Sequence, residues 1–150
     1  MSATDDASAA VAGLVHAYAE RLDGGDLDGV ADLFARATWR SAGGTRLEGS
    51  AQVRRAYDPV VLYDGSPRTK HVITNLVIEV DDEGRSASSA CVFTVLQAVS
   101  PGALRVILAG RYHDRFAVDE QGWYFTDRLI HADLVGDLRR HMRNLLADDT

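Results

Sequence analysis

Four long runs rich in β-branched and aromatic residues fill the second half of the chain: Lys70 to Val80, Ser86 to Ala98, Leu104 to Val118 and Trp123 to Asp133. Between them lie Asp81-Asp82-Glu83-Gly84, Ser100-Pro101-Gly102 and Asp119-Glu120-Gln121-Gly122. Polar links this short join antiparallel neighbours, because a parallel crossover needs a dozen or more residues. The spacing therefore predicts an antiparallel meander. Helical signals precede it, which gives an α+β order. A strongly curved sheet with a helix laid across one face must enclose something, either side chains or a small ligand.

Val11, Leu14, Val15, Tyr18 and Leu22 recur at the spacing of one helix face. Thr4 or Asp5 is expected to cap that helix, and the glycines of Asp23-Gly24-Gly25-Asp26 to stop it with left-handed geometry. A second helix is expected from about Leu27 to Ala35, capped by Asp26. Two short strands, Thr38 to Ser41 and Thr45 to Glu48, flank a turn at Ala42-Gly43-Gly44. A third helix follows from Gly49-Ser50 to about Tyr57, with Ser50 as its cap. Asp58-Pro59 ends it. A last amphipathic helix is expected from roughly Asp137 to Leu146, carrying Leu138, Met142, Leu145 and Leu146. No repeat or domain-scale linker interrupts the chain, so residues 1–150 read as one domain.

Composition removes several functions. With 16 Lys and Arg against 22 Asp and Glu, the net charge of -6 disfavours a nucleic-acid-binding surface. One cysteine, Cys91, permits neither an internal disulfide nor a cysteine-rich zinc site. The histidines lack the paired helical spacing of metal ligands, so no metal is expected. Gly24-Gly25 and Gly43-Gly44 do not make a phosphate-binding fingerprint, and no Gly-x-Ser-x-Gly elbow occurs. No cofactor is expected. No apolar run is long enough to span a bilayer, and the acidic start Met1-Ser2-Ala3-Thr4-Asp5-Asp6 is unlike a secretory leader. A cytoplasmic location without membrane contact is the expectation.

Polar residues inside half-buried strands need a reason. Alternation puts His71, Ile73 and Asn75 on one face of their strand. It groups Arg105, Ile107, Ala109, Arg111 and His113 on one face of the third long run. In the fourth it sets Trp123, Phe125 and Asp127 against Tyr124, Thr126 and Arg128. A bulge would reverse any of these assignments. Asp23 ends the first helix, and Tyr18 lies on that helix's apolar side, about 140° away on an ideal helix. A carboxylate and an imidazole meeting across a pocket form a proton-transfer pair, and a nearby phenol can hold a substrate oxygen as charge develops. The plain alternatives are a helix-ending turn for Asp23, a hydrogen-bonded core residue for His71 and a packing role for Tyr18. Arg111 and Arg128 could neutralise an acidic substrate, or pair with Asp127, Asp114 or a neighbouring subunit. His16, His131 and His141 carry no pattern that assigns them a role.

Several motifs, in order, resemble the SnoaL-like branch of the nuclear-transport-factor-2-like superfamily. They are Ala17-Tyr18-Ala19-Glu20-Arg21-Leu22-Asp23-Gly24-Gly25-Asp26 with Leu33-Phe34, then Leu47-Glu48-Gly49, then Thr69-Lys70-His71-Val72-Ile73-Thr74-Asn75. Gly110-Arg111-Tyr112-His113-Asp114-Arg115-Phe116 and Gly122-Trp123-Tyr124-Phe125 leading to Arg128 complete the set. The resemblance covers about residues 8 to 133.

It implies an α+β cone, with N-terminal helices closing a curved antiparallel sheet over a ligand cavity, and a homodimer or homotrimer assembled through the sheet's outer face. That superfamily holds ketosteroid isomerase, scytalone dehydratase, bile-acid dehydratase, polyketide cyclases and limonene-epoxide hydrolase, as well as non-catalytic binding proteins. The dehydratase-like pattern implies catalytic roles for Asp23 and His71, and more loosely for Tyr18. His113, Arg111, Trp39, Asn75 and Arg128 are added as substrate contacts. The second acid–base group of the dehydratases would fall near Cys91 to Thr94, where only Cys91 is ionisable. The implied activity is a cofactor-independent lyase or isomerase, of dehydratase or cyclase type. Its substrate would be a small apolar cyclic carbonyl or hydroxyl compound such as a polyketide, steroid or terpenoid. The alternatives are a non-catalytic small-molecule binder or accessory subunit, and a hollow filled by the protein's own side chains.

Overall fold

A computed structural model describes residues 2–143. The elements in chain order are α1 (Ala3–Asp23), α2 (Leu27–Asp32), β1 (Thr38–Ser41), β2 (Arg46–Glu48), α3 (Gly49–Ala56), β3 (Thr69–Val80), β4 (Ser86–Gln97), β5 (Arg105–Asp119) and β6 (Gly122–Val135). The strands form a six-stranded sheet in the order β2-β1-β6-β5-β4-β3. The meander β3 to β6 is antiparallel throughout, as the short links require. β1 pairs parallel to β6, which makes the sheet mixed rather than wholly antiparallel. That parallel pair is possible because the rest of the chain intervenes between its two strands.

Helix α1 lies against the inner face with Val11, Val15, Tyr18 and Leu22 buried. Removing such side chains from water stabilises the packing by roughly 1.5–3 kcal/mol each before entropy is counted. Its cap is Ser2 rather than Thr4 or Asp5. The Asp5 N–H donates to Ser2 Oγ, and the Ser2 N–H donates to Asp5 Oδ2, each at 3.1 Å. Asp5 thus closes a capping box from the third helical position. At the other end only Gly25 is left-handed, with φ at 78°, while Gly24 stays helical. A Cβ on Gly25 would collide with the Gly65 carbonyl oxygen, so this glycine lets the 63–66 loop approach the end of α1. α3 lacks the expected Ser50 cap; the Glu48 N–H is met by Gln52 Oε1 at 2.8 Å instead.

Bulges overturn three of the alternation readings. In β3, Asn75 takes a left-handed φ of 55° where the register with β4 shifts. His71 and Ile73 point inward before it, Leu76, Ile78 and Val80 after it, and Asn75 itself is exposed. A shift in the pairing of β4 with β5 lets Ile107 join Tyr112 on the inner face, where strict alternation opposes them. In β6 the register slips between Arg115 and Phe116, which puts both Phe125 and Arg128 inside. Each extra residue flips the side chains beyond it.

The space between α1 and the sheet is filled by aromatic side chains. Tyr18, Phe34, Phe93, Tyr112, Phe116 and Phe125 are each at most 3% exposed. Phe93 stacks on Tyr112 with centroids 4.3 Å apart, and Phe34 and Phe116 flank Phe125 at 5.0 and 4.8 Å. The last expected helix does not form within the described residues. Gly136 to Arg143 is an irregular segment, and Met142 makes an antiparallel bridge to Val60. Leu145 and Leu146 lie outside the described residues.

Candidate active site

Asp23 is placed by the end of α1, and His71 by the third residue of β3. The Asp23 side chain is 10% exposed and that of His71 5%. The carboxylate is held by three donors. Thr69 Oγ1 donates to Oδ1 at 2.9 Å, the His71 N–H donates to Oδ2 at 2.8 Å, and His71 Nδ1 lies 2.6 Å from Oδ1. Burial alone would push this carboxyl up, but the hydrogen bonds and charge of His71, with Thr69, outweigh it and hold Asp23 below the ordinary carboxylate range. An ionised carboxylate only accepts, so Nδ1 carries the shared hydrogen, and in the neutral ring Nε2 is left as a bare base. Thr69 precedes His71 by two residues and shares its face, a period-two signal that the sequence carries and the reading of His71 alone overlooks.

Tyr18 stands directly behind the pair. Its ring meets His71 edge-on at 6.2 Å, and its hydroxyl lies 2.7 Å from that of Tyr57. Burial raises the pKa of both phenols, so they remain protonated at neutral pH. In such a pair one hydroxyl donates to the other, and one O–H stays free to donate elsewhere. Tyr57 read in sequence only as the end of α3.

Arg128 is buried between the Tyr18 and Tyr112 rings, with its guanidinium carbon 4.3 and 3.9 Å from their centroids. Nε and Nη2 bind Asp114 at 2.8 and 2.9 Å, and Nη1 has no partner. Trp39, beside Arg128 in the β1–β6 register, packs on Tyr57 at 6.4 Å with its indole Nε1 also unpartnered. These two residues therefore line the inner cluster, one wall removed from His71.

The remaining expected contacts do not converge. His113 and Arg111 lie on the outer face of β5, opposite the buried Tyr112 and Asp114. Arg111 binds Asp133 at 2.8 Å, and His113 packs edge-on to His131 at 5.3 Å. Both sit across the sheet from Asp23 because the inner face of β5 here is the even-numbered one. Asn75 is excluded by its exposed bulge position. Burial pushes the Cys91 thiol up to about 11, so it is neither nucleophile nor base near neutrality.

One open groove reaches both members of the pair and another reaches Asp23 alone. One of about 480 Å³ runs between α1 and β3 past His16, Glu20, Asp23 and His71. A second of about 420 Å³ passes Asp23, Thr69, Leu96 and Leu104. A hollow of about 540 Å³ on the outer face is lined by Arg40, Glu79, His113, Asp127 and His131, where Asp127 is bound by Arg40 at 2.7 and 2.9 Å rather than by an imidazole. Among the described residues no group of three or more His, Cys, Asp or Glu is arranged to hold a metal ion. Also among them, no helix is long and apolar enough to cross a membrane.

Known structures share this architecture. A proposed scytalone dehydratase from Novosphingobium aromaticivorans superposes with a TM-score of 0.73 at 18% identity, over 90% of this chain and 89% of its own. The β subunit of a proposed aromatic-ring-hydroxylating dioxygenase from the same organism gives 0.72 at 19%, over 89% and 94%. The protein Aln2 from a Streptomyces species gives 0.70 at 24%, over 84% and 90%. No curated protein sequence matches. Likeness at these identities establishes the fold alone, whereas the family model for the SnoaL-like domain matches residues 4–129 of the sequence itself. The fold is the one seen in an NTF2-like protein with a cystatin-like fold from Novosphingobium aromaticivorans, TM-score 0.68 at 18% identity over 85% of this chain and 82% of its own, and the chain belongs to the SnoaL-like domain family.

Proposed function

We propose that the protein is a cofactor-independent lyase or isomerase, of dehydratase or cyclase type. Its substrate is a small, largely apolar cyclic compound bearing a carbonyl or hydroxyl group, of the polyketide, steroid or terpenoid kind. The observation that carries this is the 2.6 Å contact between the Asp23 carboxylate and His71 Nδ1, both nearly buried and at the head of a groove. Asp23 fixes the tautomer, and Nε2 of His71 takes a proton from carbon beside the carbonyl. The Tyr18–Tyr57 hydroxyl pair, with Arg128 and Trp39 behind it, forms the buried wall against which the His71 ring is set. The proton then returns to another carbon in isomerisation; in cyclisation the enolate carbon bonds to a second carbonyl carbon and the proton goes to the alkoxide oxygen so formed; in dehydration it leaves with a hydroxyl as water. A second reading, a non-catalytic accessory subunit, draws on the likeness to the dioxygenase β subunit. We further propose a cytoplasmic homodimer or homotrimer assembled through the outer face of the sheet, one domain per chain.

Deuterium uptake from heavy water into a panel of bicyclic ketones, 2-tetralone first, separates the readings. The wild type is expected to speed exchange at the carbon beside the carbonyl, and His71→Ala and Asp23→Asn to lose about 10²–10⁴-fold. Exchange unaffected by either substitution removes the pair from catalysis. Wild type no faster than buffer across the panel favours the accessory reading.

A further inference from the structure

The ends of β3 and β4 nearest Asp23 form the mouth of the fold, and two cations stand there. Arg68 and Lys70 line the groove of about 420 Å³ that reaches Asp23, together with Leu96, Ala98 and Leu104. Lys70 also borders the groove of about 480 Å³ that passes His71. Leu96 is the register partner of Lys70, and Leu104 is 67% exposed. The groove at Asp23 thus has an apolar floor and a cationic rim, in a chain whose net charge is -6.

Arg68 is held in place at this rim. Its Nε donates to the Ala98 carbonyl at 3.1 Å, and the Ala98 N–H donates to the Arg68 carbonyl at 3.1 Å. The Arg68 N–H donates to Ser66 Oγ at 3.0 Å, and Ser66 Oγ donates to the Asp23 carbonyl at 3.3 Å. One chain of hydrogen bonds therefore fixes the arginine relative to Asp23. Its backbone is left-handed, with φ at 59°, a conformation that residues with long side chains adopt rarely. Among the described residues no carboxylate forms an ion pair with Arg68 or Lys70, whereas Arg111 and Arg139 are both paired. A lysine on an edge strand also discourages pairing with another sheet. That role does not call for an arginine pinned beside it.

We propose that the Arg68–Lys70 rim binds the anionic end of the ligand, so that the compound taken by the Asp23–His71 site is a cyclic carboxylate rather than a neutral molecule. This rests on that pair being the reaction site. The terminal nitrogens of a guanidinium match a carboxylate in two parallel hydrogen bonds, and an ammonium adds a point charge. The apolar body of the ligand lies on Leu96 and Leu104. Lys70, common to both grooves, joins this rim to the groove that contains His71. The carboxylate stays at the rim, apart from the negative Asp23.

The test compares 2-naphthoate with the neutral 2-naphthol, by fluorescence titration at neutral pH, for wild type, Arg68→Gln, Lys70→Gln and the double variant. Wild type is expected to bind the carboxylate about tenfold more tightly, the worth of one charge-assisted hydrogen bond at an exposed rim. Each single variant should keep about a third of that preference and the double variant none, with naphthol affinity level in all four. Raising the salt from about 0.05 to about 0.5 M should cut the wild-type preference to about threefold. Leu104→Glu, which sets a negative charge in the groove floor, should weaken naphthoate about tenfold and so locates the binding. Merely structural cations would change both probes in proportion and leave their ratio alone. A preference that survives the double substitution, naphthoate affinity untouched by Leu104→Glu, or wild type that binds neither probe or prefers neither overturns the proposal. If Arg68→Gln does not fold, Lys70→Gln and the salt series on wild type decide, and an unmoved ratio in both overturns it. Binding needs no turnover. Lost preference with His71-dependent deuterium exchange intact overturns this proposal alone, and preference retained without exchange overturns the catalytic reading alone.

Discussion

The Asp114–Arg128 pair is the most exacting feature at the level of single residues. Both side chains are fully buried, and only the two hydrogen bonds and the aromatic rings above and below replace water around the guanidinium. Burial alone would disfavour the charged guanidinium; the Asp114 carboxylate more than offsets it and keeps Arg128 protonated. Such a pair adds little net stability over a well-packed apolar pair, yet removing one partner strands the other. Asp114→Asn is therefore expected to cost about 3–5 kcal/mol in urea denaturation, and Asp114→Leu with Arg128→Met to regain most of it. A loss below about 1 kcal/mol for Asp114→Asn would mean that the Tyr18 and Tyr112 faces, rather than the carboxylate, stabilise the cation. The same tyrosine wall backs His71, so the expected structural fault would also loosen the candidate site.

Within the elements, the bulges decide which side chains reach the interior. Asn75 sits at φ 55° in β3, a conformation asparagine tolerates and a β-branched residue does not. Asn75→Val should cost about 1–2 kcal/mol, while Asn75→Gly should change stability by a few tenths at most, both read as shifts in denaturation midpoint. Equal effects from the two would show that the backbone there is not strained. This explains what could be read in advance. The strands and their antiparallel links followed from β-rich runs and short turns, and the meeting of Asp23 with His71 followed from matched motifs. Face assignments beyond a bulge did not, because one extra residue leaves no mark on composition but inverts every later side chain. Phe125 was set opposite Arg128 for this reason, whereas Arg111 and His113 do share a face and alternation alone does not say which face is the inner one. His141 lay in a periodic Leu138–Met142 pattern that reads as a helix, and tertiary bonds, among them the Val60–Met142 bridge and the Val61 N–H to the His141 carbonyl, set it elsewhere.

At the scale of the whole molecule, the segment after β6 couples folding to pH through His141, which is buried. The His141 imidazole titrates near 6.5 in the unfolded chain and near 4 when buried. Between those values the unfolded state binds more protons, so stability falls as pH drops from about 6.5 to about 4. The shift corresponds to a loss of about 3 kcal/mol once both forms are protonated. Asp23 acts in a lower window: its folded pKa lies below its ordinary 3.8, so its contribution is present above that value and lost as pH falls through the folded one. Wild type should therefore lose stability in two stages on acidification. His141→Asn, which cannot take up a proton, should abolish the upper stage and keep the lower. Chemical denaturation at half-unit steps from pH 7.5 to 2.5 reads both stages. If the two proteins show the same slope between pH 6.5 and 4.5, His141 is not the group that titrates, and the mouth of the fold opens in acid for another reason.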